Sequence, residues 1–185
     1  MSTPLIILIV LAIILILIYN SLIAKKNQVD NIFATIDTQL KKRYDLIPNL
    51  VASVSKYMDH EKSLLEEITK LRSEANKPNI SEKEKINLDA KITKALGSIM
   101  IAVENYPDLK ANENVMHLQR TLNEVEEQIA AARRAYNQAV TDYNNALEMI
   151  PTNLMANAMG YSPRDLFVIS ESERKNININ ELFNR

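Results

Sequence analysis

The sequence predicts an all-α protein, in which an N-terminal transmembrane helix leads into an antiparallel up-down helical bundle with long first and third helices. Three features predict it. An unbroken aliphatic run occupies Leu5 to Ile18. Two long stretches downstream repeat apolar residues at the alternating three- and four-residue spacing of a helix packed lengthwise on others. With 2 Gly and no Trp among 185 residues, the chain lacks the composition of a turn-rich β protein or a phosphate-cradling loop.

The first element is the aliphatic run, continued through Tyr19, Asn20 and Ser21 to Leu22, Ile23 and Ala24. A helix of about 20 residues rises roughly 30 Å, the thickness of bilayer hydrocarbon. A cleaved signal peptide would need a basic segment before the run and a small-x-small site after it. Neither is present, and Tyr19 stands where an interfacial aromatic anchor belongs. The reading is therefore a retained single-pass anchor over residues 1–24, with Leu5, Ile18 and Ile23 as its markers. Lys25 and Lys26 follow it directly, with Lys41, Lys42 and Arg43 further on. The excess of basic residues on that side predicts a cytoplasmic bulk domain with the N-terminus outside. The first heptads begin at Val29, so the anchor and the first bundle helix are expected to form one long rod.

In the first bundle stretch Val29, Ile36, Leu50, Tyr57, Leu64 and Leu71 form one rail, and Phe33, Leu40, Ile47, Val54 and Ile68 form the second. Pro48 removes an N–H from the Tyr44 carbonyl and should kink this helix. The heptad phase runs through it, so a bent continuous helix is expected over two separate ones. Lys77-Pro78-Asn79 ends it. Ser81 and Glu84 then match a capping box, opening a shorter helix with Ile86, Ile92, Leu96, Ile99 and Val103 on one face. Tyr106-Pro107-Asp108 stops that helix. The long third helix carries Val115, Leu118, Leu122, Val125, Ile129, Ala132, Tyr136, Ala139, Tyr143, Ala146 and Ile150. Pro151 interrupts it, and Thr152 to Met159 reads as a short helix closed by Gly160. Short connections make neighbouring helices antiparallel. The bundle is placed at 25–161, and 162–185 is read as a loosely ordered tail.

Charge and side-chain chemistry exclude several functions. Lys plus Arg number 22 against 23 Asp plus Glu, a balance that gives nucleic acid no purchase. The absence of cysteine removes thiol catalysis, Cys-based zinc sites and an acylated Cys. His60-Glu61 begins like the helical zinc-protease motif, but position 64 is Leu, so a second imidazole is missing from the face. A di-iron bundle would need Glu three residues before a His, and those positions are Tyr57 and Asn114. No metal, cofactor or small-molecule substrate is expected.

The two gaps in the apolar rails are Arg43 and Glu61. A charge at a core position must be paired or reach solvent, because an unpaired buried charge is costly. Glu124, Glu126, Arg133 and Asn137 on the third helix are the available partners, and Asp37 and Asp45 flank Arg43. The candidate polar network is therefore Asp37, Arg43, Asp45, His60, Glu61, Arg133 and Asn137. Its favoured role is to fix helix register, ahead of any catalytic use.

These residues resemble the LemA family of bacterial membrane proteins. The resemblance rests on Asp37-x-Gln39-Leu40-Lys41-x-Arg43-Tyr44-Asp45-Leu46-Ile47-Pro48-Asn49-Leu50-Val51 and on Tyr57-Met58-x-His60-Glu61. It continues in Tyr106-Pro107-Asp108-Leu109-Lys110-Ala111, Ala132-Arg133-Arg134-Ala135-Tyr136-Asn137, Tyr143-Asn144 and Pro151-x-Asn153. It implies a helical bundle on one N-terminal anchor with no assigned enzymatic activity, similar to the magnetosome protein MamQ. The expected function is a non-enzymatic, membrane-anchored scaffold or interaction protein that self-associates or binds another membrane protein. The alternative is a membrane-remodelling or lipid-binding protein that uses Lys25, Lys26, Lys41, Lys42 and Arg43. An enzyme built on Asp37, Arg43, Asp45, His60 and Glu61 ranks third.

Overall fold

A computed structural model describes residues 3–167. They form six helices: α1 (Thr3–Val54), α2 (Lys62–Ala75), α3 (Glu82–Val103), α4 (Pro107–Lys110), α5 (Glu113–Glu148) and α6 (Thr152–Ala158). There is no strand among the described residues.

The apolar segment and the first bundle helix are one continuous helix of 52 residues, a rod of roughly 78 Å at 1.5 Å per residue. Its first part is apolar and exposed all round, from Leu5 to Leu17. This stretch is long and apolar enough to cross a membrane. Burial begins at Leu22 and then follows the rails: Val29, Phe33, Ile36, Leu40, Ile47, Leu50 and Val54 are all buried, with Arg43 in the gap.

Pro48 does not end α1. The carbonyl it leaves without an intrahelical partner, that of Tyr44, accepts a hydrogen bond of 2.9 Å from the Arg72 side chain on α2. The chain reverses instead at residues 55–61, so the expected single helix as far as Lys77 is two helices. Met58 is buried there while Tyr57 is exposed, and Leu65 replaces Leu64 in the core. Ile68 and Leu71 keep the core places the rails give them. Past the turn α2 folds back along α1, carrying Arg72 to Tyr44.

Backbones approach closely between α1 and α5 and between α2 and α3. Along α1 and α5 the contacts run in opposite directions. Leu22 clusters with Ala146, and Arg43 meets Glu126. Along α3 they rise with α1, since Lys85 pairs with Asp37 and Asp89 with Arg43. Ser81 and Glu84 form the reciprocal capping box at the start of α3. The helix α6 ends on Gly160, whose φ of 68° closes the stop through Gly160 N–H to Asn157 O and Tyr161 N–H to Ala156 O. Ile150 is exposed because α5 ends at Glu148.

The segment 162–167 departs from the loose tail expected from Ser162 onward. It is fastened along α5 by Asn137 and Asn144. The rest of that tail, including Ser170 to Arg185, lies outside the described residues.

Candidate functional site

Between α3 and α5 lies a cleft of about 330 Å³ lined by Asp89, Thr93, Glu126, Arg133, Asn137 and Phe167. Three of these residues, Asp89, Thr93 and Glu126, hold the Arg43 side chain, which is 1% exposed. Arg43 reaches across from α1 and donates to Asp89 on α3, to Thr93 Oγ1 at 2.9 Å and to Glu126 on α5 at 2.6 Å. Arg133 on α5 donates to the other Asp89 oxygen and approaches Glu126 at 3.7 Å. Two guanidinium groups thus face two carboxylates, and three helices meet at one charge-balanced knot. An arginine suits this place because its planar fork holds several acceptors at fixed angles.

Burial pushes the Asp89 carboxyl up from its ordinary value, against the pull of Arg43 and Arg133. Desolvation therefore outweighs attraction at this carboxylate. The Tyr44 hydroxyl beside it is pushed up to about 12, by burial first and by the Asp89 charge second.

The sequence-predicted candidates are distributed over five places. Arg43 and Arg133 belong to the knot. Asp37 pairs with Lys85 on α3, nearly two turns before Arg43 on α1. Among the described residues Asp45 pairs only with Lys41, one turn back on the exposed face of α1. His60 and Glu61 lie in the reversal at 55–61, apart from the knot. Glu61 there accepts a hydrogen bond of 2.7 Å from the Tyr106 hydroxyl, which raises the pKa of that tyrosine. The separation has a simple cause: once α1 ends at Val54, the second rail gap no longer shares a helix with the first.

Asn137 has a different task. Its amide donates to the Phe167 carbonyl at 2.9 Å and accepts from the Phe167 N–H at 2.8 Å. Asn144, one heptad further on, does the same for Arg164, at 3.0 and 2.9 Å. Seven helical residues rise about 10.5 Å and three extended residues about 10 Å, so the two repeats match. The segment they hold places Arg164 between Asp30 on α1 and Glu82 on α3, both at 2.9 Å or less. It also seats Phe167 against Phe33 and Tyr136, with the Arg133 guanidinium over its ring. Phe167 therefore forms part of one wall of the cleft.

Asp89, Thr93, Asn144, Arg164 and Phe167 were not among the expected residues. Asp89 had a sequence signal: it precedes Leu96 and Val103 by successive heptads, as Lys85 precedes Ile92 and Ile99. Both rails of α3 thus open on a charge. Nothing comparable marks Arg164 or Phe167, which follow a proline in irregular chain.

The family model of the LemA family matches residues 32–180. Protein LemA of Metamycoplasma hominis is 27% identical over 165 residues, which cover 89% of this chain and 75% of that protein. Magnetosome protein MamQ 2 of Paramagnetospirillum magneticum is 32% identical over 82 residues, 44% of this chain and 30% of its own. Magnetosome protein MamQ of Magnetospirillum gryphiswaldense is 28% identical over the same extent. The matching stretch spans under a third of the magnetosome proteins. The family match takes in the knot, the reversal at 55–61 and the segment bound by Asn137 and Asn144, and this chain belongs to the LemA family.

Proposed function

We propose that this LemA-family chain is a non-enzymatic helical scaffold anchored in the membrane, which binds protein partners including a second copy of itself. The observation that carries this reading is α1. An exposed apolar segment and the central bundle helix are a single rod, so the anchor sets the height and tilt of the bundle directly. In this reading residues 1–24 are the anchor and α1, α2, α3 and α5 form an up-down bundle on the cytoplasmic side. The charge knot keeps helices in register and leaves the outer faces to partners. Chemical cross-linking in intact membranes tests it, with adducts to itself or to other proteins expected. A monomer free of adducts overturns it. A reporter fused at the C-terminus tests sidedness, and activity only outside the cytoplasm refutes that part.

The lipid-binding alternative rests on fewer residues than the sequence suggests. Arg43 is buried in the knot. Lys41 lies 15 residues beyond Lys26 along α1, roughly 22 Å and well over the Debye length of about 8 Å in physiological salt. Lys25 and Lys26 are the basic residues near the span, and Lys26 is paired with Asp30.

A further inference from the structure

We infer that the corner between α5 and α6 is a second membrane contact, which inserts its apolar side chains into the bilayer interface beside the spanning helix. The inference rests on the reading that the apolar part of α1 lies in a bilayer. At this corner Ile150 is 83% exposed, Leu154 70% and Met149 63%. Large apolar side chains clustered in this way mark an interaction surface more often than scattered ones do.

Position and composition say what covers them. Ala146 and Ala156 pack on Leu22, and Ile18 packs against the same cluster. Because α5 descends as α1 ascends, Met149 and Ile150 lie about 5 Å beyond Ala146 toward the start of α1. That is the level of Ile18 and Tyr19, where the aliphatic run ends. The chain from Met149 to Pro163 holds no Asp, Glu, Lys, Arg or His, in a protein that is 24% charged. Any bilayer that receives the span therefore brings its interface to this corner, and no charge needs to be desolvated there. Lys25 and Lys26 then stand about 10 Å further out, at headgroup height. A short amphipathic element at an interface is held by apolar burial of this kind. With two contacts, the bundle has a defined rotation about the span as well as a defined height.

The sequence contains no Trp, so a single introduced indole reports on one place. Full-length protein would be reconstituted in vesicles with acyl-chain-brominated lipid, carrying Ile150→Trp, Leu11→Trp or Ile101→Trp. Ile101 is 72% exposed near the end of α3, far from the span. The expected result is strong bromolipid quenching for Leu11→Trp and Ile150→Trp, with aqueous iodide quenching several-fold weaker than for Ile101→Trp. If only Leu11→Trp is quenched by bromolipid and Ile150→Trp is open to iodide, the corner lies in water and the inference is overturned. Shielding of Ile150→Trp from both quenchers means that protein covers it, and overturns the inference equally. Loss of bromolipid quenching at Leu11→Trp would overturn the membrane reading itself.

Discussion

The side chains that decide most about this molecule are Arg43 and Asp89, both buried and paired with each other at the centre of the knot. Removing one partner of such a pair typically costs about 3–5 kcal/mol, because the remaining charge stays desolvated. Asp89→Ala is expected to fall in that range in urea or thermal unfolding of the detergent-solubilised chain. The double replacement Arg43→Met with Asp89→Leu should be near neutral or stabilising, by about 1–4 kcal/mol. A double as damaging as Asp89→Ala would mean that the knot contributes more than its desolvation cost. The pH dependence has a definite sign. The folded pKa of Asp89 is raised above its ordinary value of 3.8. Its stabilising contribution is thus complete below that value and lost as pH rises through the folded one. Compared with Asp89→Asn, the wild type should lose stability across that acid window; a parallel pair of pH profiles would contradict this.

A second residue-scale device joins Pro48 to Arg72. The proline leaves the Tyr44 carbonyl without its helical donor, and Arg72 supplies one. Arg72→Met should cost about 1–3 kcal/mol, the range for leaving a buried acceptor unsatisfied. In a Pro48→Ala background the same change should cost less, since an N–H at 48 then serves Tyr44. Equal losses in the two backgrounds would show that Arg72 acts through something other than this bond.

Among the elements, the extended segment 164–167 depends on a match of repeats. Asn137 and Asn144 present amides one heptad apart, and the segment presents peptide groups three residues apart. Replacing both by Asp substitutes acceptors for the donors that hold the Phe167 and Arg164 carbonyls. Arg164 should then become rapidly accessible to trypsin, and the amides of Arg164 and Phe167 should lose hydrogen-exchange protection. Unchanged cleavage at Arg164 would place the hold elsewhere, in the ring cluster of Phe33, Tyr136 and Phe167. The helix break after Val54 also belongs to this scale. It was invisible in the heptad pattern because residues 57, 61 and 64 continue the same spacing on paper. Only the burial of Met58 and Leu65 in place of Tyr57 and Leu64 distinguishes a reversal from a longer helix.

At the scale of the whole molecule, one rod has two ends with different surroundings. The lower end is exposed and apolar, and the upper end is sheathed by α2, α3 and α5. Leu22 is the first fully buried side chain of the rod, where Ala146 and Ala156 pack on it. Leu22→Ala should cost about 2–5 kcal/mol if the bundle unfolds as a unit. It should also raise hydrogen exchange in α6 before it does so in α3. Uniform acceleration across both helices would indicate that α6 is not a separately anchored piece.

The sequence by itself determined the apolar run, the rails from Val29 to Val54 and from Val115 to Ala146, the capping box at Ser81 and the glycine stop after α6. Each depends on neighbours within a few residues along one helix, so spacing and residue type are enough. It also marked Arg43 as a charge in need of partners, and Glu126 and Arg133 were among those offered. Only the tertiary structure decided that Asp89 completes the knot and that Asp45, His60 and Glu61 stand outside it. It alone turned the chain after Val54, drew Arg164 to Asp30 and Glu82, and packed Ala146 and Ala156 against Leu22 and Ile18. The reason is physical: an ion pair or a reversal depends on which helices lie side by side, and that follows from packing summed over the whole bundle. A period along one strand of sequence says which face is buried, and leaves open what it is buried against.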